Sequence, residues 1–219
     1  MWIIGNGPSM SISFIKFRDT LFPLGLFSIP QVNLYFPDFN SDNLLYWQKK
    51  GYILKLRRGW YCFRDFINIS EFNYLIANNI YAPSYISHQD ALAYYGLIPE
   101  HIVHSISVTT KKTAIFSTPV RIFKYYSIHP RLFFGFELKE MMINGFKREF
   151  LIADREKAIL DLLYLFDFYI SESDLEEIRL NEAVLEKEVN WTRMDEYLSR
   201  FGLKMLDRKI QIIRKIHGL

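Results

Sequence analysis

Hydrophobic residues recur every three or four positions in several stretches of the chain, and this spacing is typical of helices with one buried face. Leu44 and Trp47 follow it, and Gly51 comes where the pattern stops. Glycine readily takes the left-handed conformation that ends a helix. The pattern therefore predicts a helix that ends at Gly51, with Ser41 or Asn40 as the residue that caps its start.

Two shorter helices are predicted upstream. Phenylalanine and leucine residues at helical spacing favour a first helix over residues 11–21. Ser28 and Gln31 have the spacing of a capping box, and Pro30 would lie in the first helical turn, where its missing N–H costs little. These signals indicate a second helix that starts directly after Ser28.

The segment YILKLRRGWYCF, residues 52–63, is rich in the residue types of strands and contains the turn Arg57-Arg58-Gly59. It is expected to form a hairpin. Three helices followed by a hairpin is the order of a winged helix-turn-helix. The sequence therefore predicts such a domain over residues 1–64.

The remaining chain, residues 65–219, is expected to form a second domain of the α+β class with a small β-sheet and a helical C-terminal half. A connecting helix is predicted over residues 65–82, and Ser87 and Asp90 have capping-box spacing. Between residues 102 and 153 the pattern is that of strands. It includes a hairpin at Asn144-Gly145, the strongest short hairpin signal. From Asp154 onward the pattern is helical.

Charge divides the chain in the same way. Residues 1–64 hold eight Lys and Arg against three acids, whereas residues 65–219 hold nineteen against twenty-one. The basic excess lies on the predicted third helix and hairpin, the elements that would meet DNA phosphates and base edges. The expected DNA-binding residues are Ser41, Asn43, Tyr46, Lys49, Lys50, Lys55, Arg57 and Arg58. Asn43, Tyr46 and Lys50 are expected to share the face opposite Leu44 and Trp47.

A second basic face is predicted near the C-terminus, where Leu203, Leu206, Ile210 and Ile213 would form the buried stripe of the last helix. The basic side would carry Arg200, Lys204, Arg208, Gln211 and Lys215. It could contact DNA or a protein partner, or be ordinary solvated surface. The acidic run from Asp167 to Glu188 is interpreted as solvated surface.

The lone cysteine, Cys62, rules out an internal disulfide and fits a reducing cytoplasm. No apolar run is long enough to span a bilayer, and the first residues lack the features of a secretory signal. The sequence thus favours a cytoplasmic protein that does not bind membranes.

Enzymatic motifs are missing from the sequence. There is no phosphate-binding glycine loop, no dinucleotide fingerprint and no Asp-x-Asp pair. His101 and His104 lack the further ligands that a zinc site needs. Asp154 is interpreted as a helix cap, Glu156 as a favourable first-turn acid and Asp161 as an i,i+4 partner of Lys157. We therefore expect neither catalysis nor a metal or other cofactor.

Three stretches resemble the AbiEi-family antitoxins of bacterial type IV toxin–antitoxin systems. They are RRGWY in the hairpin, PSYISHQDALAYYGLIPE followed by SVTTKK, and ADREKAILDLLYL. The resemblance extends from the hairpin to the last helix. It implies an N-terminal winged helix and a C-terminal antitoxin domain. It further implies repression of the protein's own operon through inverted repeats in operator DNA, and neutralisation of a co-expressed nucleotidyltransferase toxin.

Two other functions remain open on the sequence. The chain could be a stand-alone winged-helix transcriptional regulator without a toxin partner. It could also be a protein-interaction module that uses the winged helix as a scaffold. The clustered charge on the predicted third helix and hairpin favours DNA binding over the second of these.

Overall fold

The computed structural model describes residues 12–69, 71–99 and 104–219. These residues form ten α-helices and nine strands arranged in two sheets, so the expectation of a mixed α+β fold is confirmed. Residue 11, where the first helix was predicted to start, and His101 lie outside the described residues.

The described residues fall into two compact units. The first contains the residues up to Asn73 and two later segments, Thr118–Val120 and Met141–Arg148, and the second contains the rest. A domain boundary after residue 64 stays a prediction, because a division by contacts does not show that either part folds independently.

The first unit begins with three helices and three strands. They are α1 (Phe14–Leu21), β1 (Leu26–Ser28), α2 (Ile29–Tyr35), α3 (Asp42–Lys49), β2 (Ile53–Arg57) and β3 (Trp60–Phe63). The capping box of α2 is formed as predicted: Ser28 Oγ accepts a hydrogen bond from the Gln31 N–H, and Gln31 Oε1 accepts one from the Ser28 N–H at 2.8 Å. Strand β1 was not predicted.

The three strands form an antiparallel sheet in the order β1-β3-β2. Tyr61 in the central strand pairs with Phe27 on one side and Lys55 on the other. The N–H of Ile29 donates to the carbonyl oxygen of Gly59 at 3.0 Å. The turn of the β2–β3 hairpin is thereby attached to the first residue of α2.

The core of this unit is aromatic. Phe17 of α1 is fully buried, and its ring centroid lies 4.5 Å from that of Trp47, 5.2 Å from that of Phe27 and 6.2 Å from that of Phe63. Aromatic pairs at these separations add to the stabilisation that burial provides. Because Trp47 belongs to α3, this cluster fixes which side of α3 faces outward.

The rest of the chain alternates helices and strands. The elements are α4 (Phe72–Ile80), β4 (Ser84–Ile86), α5 (His88–Tyr94), β5 (Ser105–Thr109), β6 (Ala114–Ser117), β7 (Ile122–Ser127), β8 (Phe136–Ile143), β9 (Phe146–Ala153), α6 (Arg155–Leu165), α7 (Glu172–Glu176), α8 (Glu182–Glu188), α9 (Trp191–Phe201) and α10 (Lys204–Ile216). Helix α4 is shorter than the helix predicted over residues 65–82.

Strands β4 to β9 form one six-stranded sheet in the order β6-β7-β5-β4-β9-β8. The sheet is mixed, because β5 runs parallel to β7 and β4 parallel to β9, while β4–β5 and β6–β7 are antiparallel. The predicted hairpin at Asn144-Gly145 joins β8 to β9, and both turn residues have positive φ, 46° and 84°. The sheet is larger than the small sheet that the sequence indicates.

Helices cover both faces of this sheet. On one face the Tyr125 hydroxyl donates to the carbonyl oxygen of Ala77 in α4 at 2.8 Å. On the other face the Tyr85 hydroxyl donates to the Asp161 carboxylate in α6 at 2.8 Å. Adjacent strand residues point to opposite faces, so a strand covered on both sides buries every residue, as β4 and β5 do.

The predicted capping box of α5 is wrong. The Ser87 hydroxyl donates to Asp161 Oδ2 at 2.8 Å and makes no capping bond, while Asp90 Oδ2 accepts from the N–H of Ile106 at 2.6 Å. Both side chains bond to residues distant in sequence, which the local spacing does not reveal. Helix α5 ends at Tyr94, two residues before Gly96, which has a left-handed φ of 69°.

Candidate nucleic-acid interface

Helix α3 begins at a local cap. Asn40 Oδ1 accepts from the N–H of Asp42 at 2.9 Å, whereas the Ser41 side chain makes no capping bond and its backbone is already helical. Of the two candidate caps, Asn40 is therefore the one used. Ser41 is exposed at the start of α3.

Helix α3 ends as predicted. Gly51 has a φ of 74°, and the N–H of Tyr52 donates to the carbonyl oxygen of Trp47 at 3.0 Å. The N–H of Gly51 donates to Gln48 at 2.9 Å, which completes a Schellman motif. The last turn of α3 is thus held rigidly next to the start of β2.

The outward face of α3 follows from its two buried residues, Leu44 and Trp47, which are 2% and 3% exposed. Successive residues are rotated by about 100° around a helix, so four residues of α3 lie on the side opposite this pair. They are Asp42, Leu45, Tyr46 and Lys49, all exposed. Of the three residues expected on this face, only Tyr46 lies on it: Asn43 is half-buried at its flank, and Lys50 follows the last helical residue.

The β2–β3 hairpin carries the other predicted cations. A bulge between Lys55 and Arg57 shifts the register with β3, so the buried residues of β2, Ile53 and Leu56, lie three positions apart. Lys55 is exposed, Arg57 is half-buried, and Arg58 is exposed in the turn. The bulge therefore gives Lys55 and Arg57 different surroundings, although a regular strand would point both to one side.

The exposed cations of this region are not neutralised within the described part of the chain. Lys49, Lys50, Lys55 and Arg58 form no ion pair with a described carboxylate, and the Lys50 Nζ atom lies 5.6 Å from the centre of the Tyr46 ring. Four uncompensated charges on one helix end and one hairpin are a suitable binding surface for an anionic polymer.

The second basic face is smaller than predicted. Arg200 belongs to α9, which ends at Gly202 (φ 65°), so the expectation that it shares a face with α10 is wrong. Its guanidinium lies 3.4 Å from the centre of the Phe134 ring. Lys215 pairs with Glu172 at 2.9 Å. Lys204, Arg208 and Gln211 remain as exposed residues of that face.

The buried stripe of α10 also differs from the prediction. Leu203 precedes the helix and is 39% exposed, whereas Leu206, Ile210 and Ile213 are buried as expected. Lys209, which was not expected in the buried stripe, is buried. Its ammonium donates a hydrogen bond to the carbonyl oxygen of Leu163 at 2.8 Å. The Lys209 ammonium thus gives a hydrogen-bond donor to a carbonyl oxygen in the last turn of α6, where carbonyl groups have no partner within the helix.

A pocket of about 240 Å³ lies between the end of α6 and the start of α10. Its lining is mainly apolar, with Asp167 and Lys204 among its residues.

The carboxylates of α6 are structural. Lys157 and Asp161 form the predicted i,i+4 ion pair, but both side chains are fully buried. Tyr85 and Ser87 each donate a hydroxyl hydrogen bond to Asp161 at 2.8 Å. Burial lowers the pKa of Lys157 and raises that of Tyr85. These bonds join α6 to β4 and to Ser87, the residue before α5, so the network holds α6 against the sheet.

The carboxylates of Asp154 and Glu156 also make structural hydrogen bonds. Asp154 Oδ1 accepts from the N–H of Lys157 at 2.8 Å and caps α6, as predicted. Glu156 lies in the first turn, as predicted, and is also buried. It accepts hydrogen bonds from the Asn190 N–H at 2.5 Å and from Arg193 at 3.5 Å. These bonds attach the start of α9 to α6.

No protein-family model matches the chain, and no curated protein matches it. Among the residues that the structure describes, no helix has both the length and the apolar character needed to cross a bilayer. The same residues contain no group of three His, Cys, Asp or Glu side chains placed to hold a metal ion.

Proposed function

We propose that the first unit is a winged helix-turn-helix that binds double-stranded DNA, with α3 in the major groove and the β2–β3 hairpin as the wing. One observation carries this proposal: the uncompensated cations lie on the exposed sides of α3 and of the hairpin. These are the elements that this type of domain turns toward DNA. The element order α1-β1-α2-α3-β2-β3 and the sheet order β1-β3-β2 support the assignment.

The two elements have different tasks in this proposal. Side chains of α3 reach base edges and select the sequence, whereas Lys55 and Arg58 on the hairpin neutralise phosphates and raise affinity for any duplex. The Schellman motif and the aromatic cluster around Trp47 support this division, because they hold α3 in a fixed orientation. A fixed helix loses little conformational freedom on binding.

The biological role that we propose is that of a type IV antitoxin of the AbiEi family. The protein would bind inverted repeats in its own operator as a repressor and counteract a co-expressed nucleotidyltransferase toxin. The resemblance to these antitoxins in the hairpin and in the stretches 83–100, 107–112 and 153–165 supports this role. A stand-alone regulator of the same fold is the alternative, and the toxin experiment below separates the two.

The DNA-binding proposal is tested by the salt dependence of binding. Changing Lys55 and Arg58 to Ala should lower the slope of log affinity against log salt concentration by about two units, one for each phosphate that is no longer neutralised. Arg57 is kept, since it is half-buried and its removal would also perturb the hairpin. The matched control changes Lys111 and Lys112, two exposed lysines of the second unit, to Ala. An equal fall of the slope in both variants would refute the assignment.

The antitoxin role predicts that a neighbouring gene encodes a nucleotidyltransferase toxin, and it is tested by co-expressing that toxin with the full chain. The full chain should restore growth, and the Lys55/Arg58 variant should restore it equally while failing to repress an operator–reporter fusion. Growth that stays arrested in the presence of the folded full chain would exclude the antitoxin role. The DNA-binding proposal would survive that result, because it is measured separately on purified DNA.

A further inference from the structure

We propose that Leu45 of α3 reads the 5-methyl group of a thymine in the major groove, so that the recognised site contains a required thymine. This inference rests on the proposed DNA-binding function and goes beyond it, because it names the base and the atom that are recognised. It also assigns a role in recognition to a side chain that has no charge and no hydrogen-bonding group.

The position of Leu45 is the first observation. It lies on the outward face of α3 and is 58% exposed, while its neighbour Leu44 is 2% exposed and anchors the helix. Tyr46, beside it on that face, is 55% exposed. A water-exposed leucine and tyrosine side by side on a rigid helix form apolar surface that the fold itself does not use.

The surroundings of Leu45 decide what would cover this surface. Lys49 lies one turn further along the same face, and Lys50 and the hairpin residues Lys55 and Arg58 are exposed in the same unit. Four exposed cations against one exposed acid of α3, Asp42, leave an excess of positive charge on these two elements. This excess complements the strongly negative DNA backbone and disfavours a basic protein partner. The charge distribution therefore favours a duplex as the occupant.

The chemistry of the groove then selects the base. Of the four bases, only thymine presents a methyl group in the major groove, and an aliphatic side chain pairs with it by apolar contact. Cytosine has a hydrogen at the same carbon, so a leucine there discriminates by one methyl group. Leucine has no donor or acceptor, and it cannot replace this contact by a hydrogen bond to another base.

The experiment starts from the site that the full chain selects from a random duplex library. Each thymidine of that site is replaced in turn by deoxyuridine, which lacks only the 5-methyl group. We expect at least one replacement to weaken binding by about fourfold, the factor that corresponds to burial of one methyl group. The variant Leu45→Ala should bind the thymidine and deoxyuridine sites with equal affinity.

The control variant is Leu34→Ala, which removes a leucine that is 76% exposed on α2, outside the proposed reading helix. It should keep the full preference for thymidine. Both leucines are exposed, so unchanged melting temperatures are expected and confirm that the variants are folded.

Three results would overturn the inference. One is that no deoxyuridine replacement weakens binding, and another is that Leu45→Ala keeps the thymidine preference. A third is that Leu45→Ala dissociates a dimer in sedimentation without changing the preference, which would make this face a contact between two copies. Failure of the proposed function itself looks different, because the unaltered protein would then select no site from the library.

Discussion

The buried ion pair of Lys157 and Asp161 offers a sharp test of how this fold is stabilised. Replacing Lys157 with Met leaves the Asp161 carboxylate in the interior with only the Tyr85 and Ser87 hydroxyls as donors. Replacing Asp161 with Leu leaves a buried ammonium. Each single change should lower the free energy of unfolding by about 3–5 kcal/mol, the usual cost of a buried charge that loses its partner.

The double replacement should cost far less than the sum of the two single ones. It removes both charges and leaves the Tyr85 and Ser87 hydroxyls without their acceptor, at about 1–3 kcal/mol each. The coupling between the two sites should therefore reach about 2 kcal/mol or more. Urea unfolding of the four proteins in a double-mutant cycle measures it directly.

The exposed pair of Arg18 and Asp65, separated by 3.2 Å and about 40% exposed on each side, is the matched control. Its coupling should stay below about 1 kcal/mol, because solvent screens the charges. Should the single variants of the buried pair fail to fold while the double variant folds, the coupling is demonstrated by that difference. Additive effects at Lys157 and Asp161 would show that the charge of one does not depend on the other, and would refute the reasoning.

Two further predictions concern stability. Burial raises the pKa of Asp90 to about 8, so the folded state favours the protonated acid, and its contribution is lost as the pH rises through that value. Asp90→Asn should therefore flatten the decline in melting temperature between pH 6.5 and about 8. Below pH 6.5, the buried His88, with its pKa lowered to about 3, makes stability rise with pH and so opposes the effect of Asp90. A decline in melting temperature as steep in Asp90→Asn as in the unaltered protein would contradict this prediction. Gly135→Ala should lower the melting temperature more than Gly145→Ala. Both glycines have positive φ, but only at Gly135 would a Cβ lie 3.0 Å from Lys157 and from Tyr197, and equal losses would contradict this explanation.

Features that depend on neighbouring residues were predictable. The capping box of α2, the end of α3 at Gly51 and the hairpin at Asn144-Gly145 each involve bonds or backbone angles within a few residues. Their physical cause is local, so the sequence alone contains it. The outward position of Leu45 was equally accessible, because it follows from the inward positions of Leu44 and Trp47. Leu45 carries no charge and no hydrogen-bonding group, so charge patterning does not indicate it.

Features that depend on distant partners were not predictable. Ser87 and Asp90 have the spacing of a cap, but α6 and β5 offer them partners that only the folded chain brings near. The spacing of Lys157 and Asp161 predicts their pairing and says nothing of their burial. Two segments from the second half of the chain belong to the first unit, Thr118–Val120 and Met141–Arg148. Local sequence determined the helix ends and turns, whereas tertiary structure decided which polar groups are buried, because burial depends on what packs over a residue and not on its neighbours in the chain.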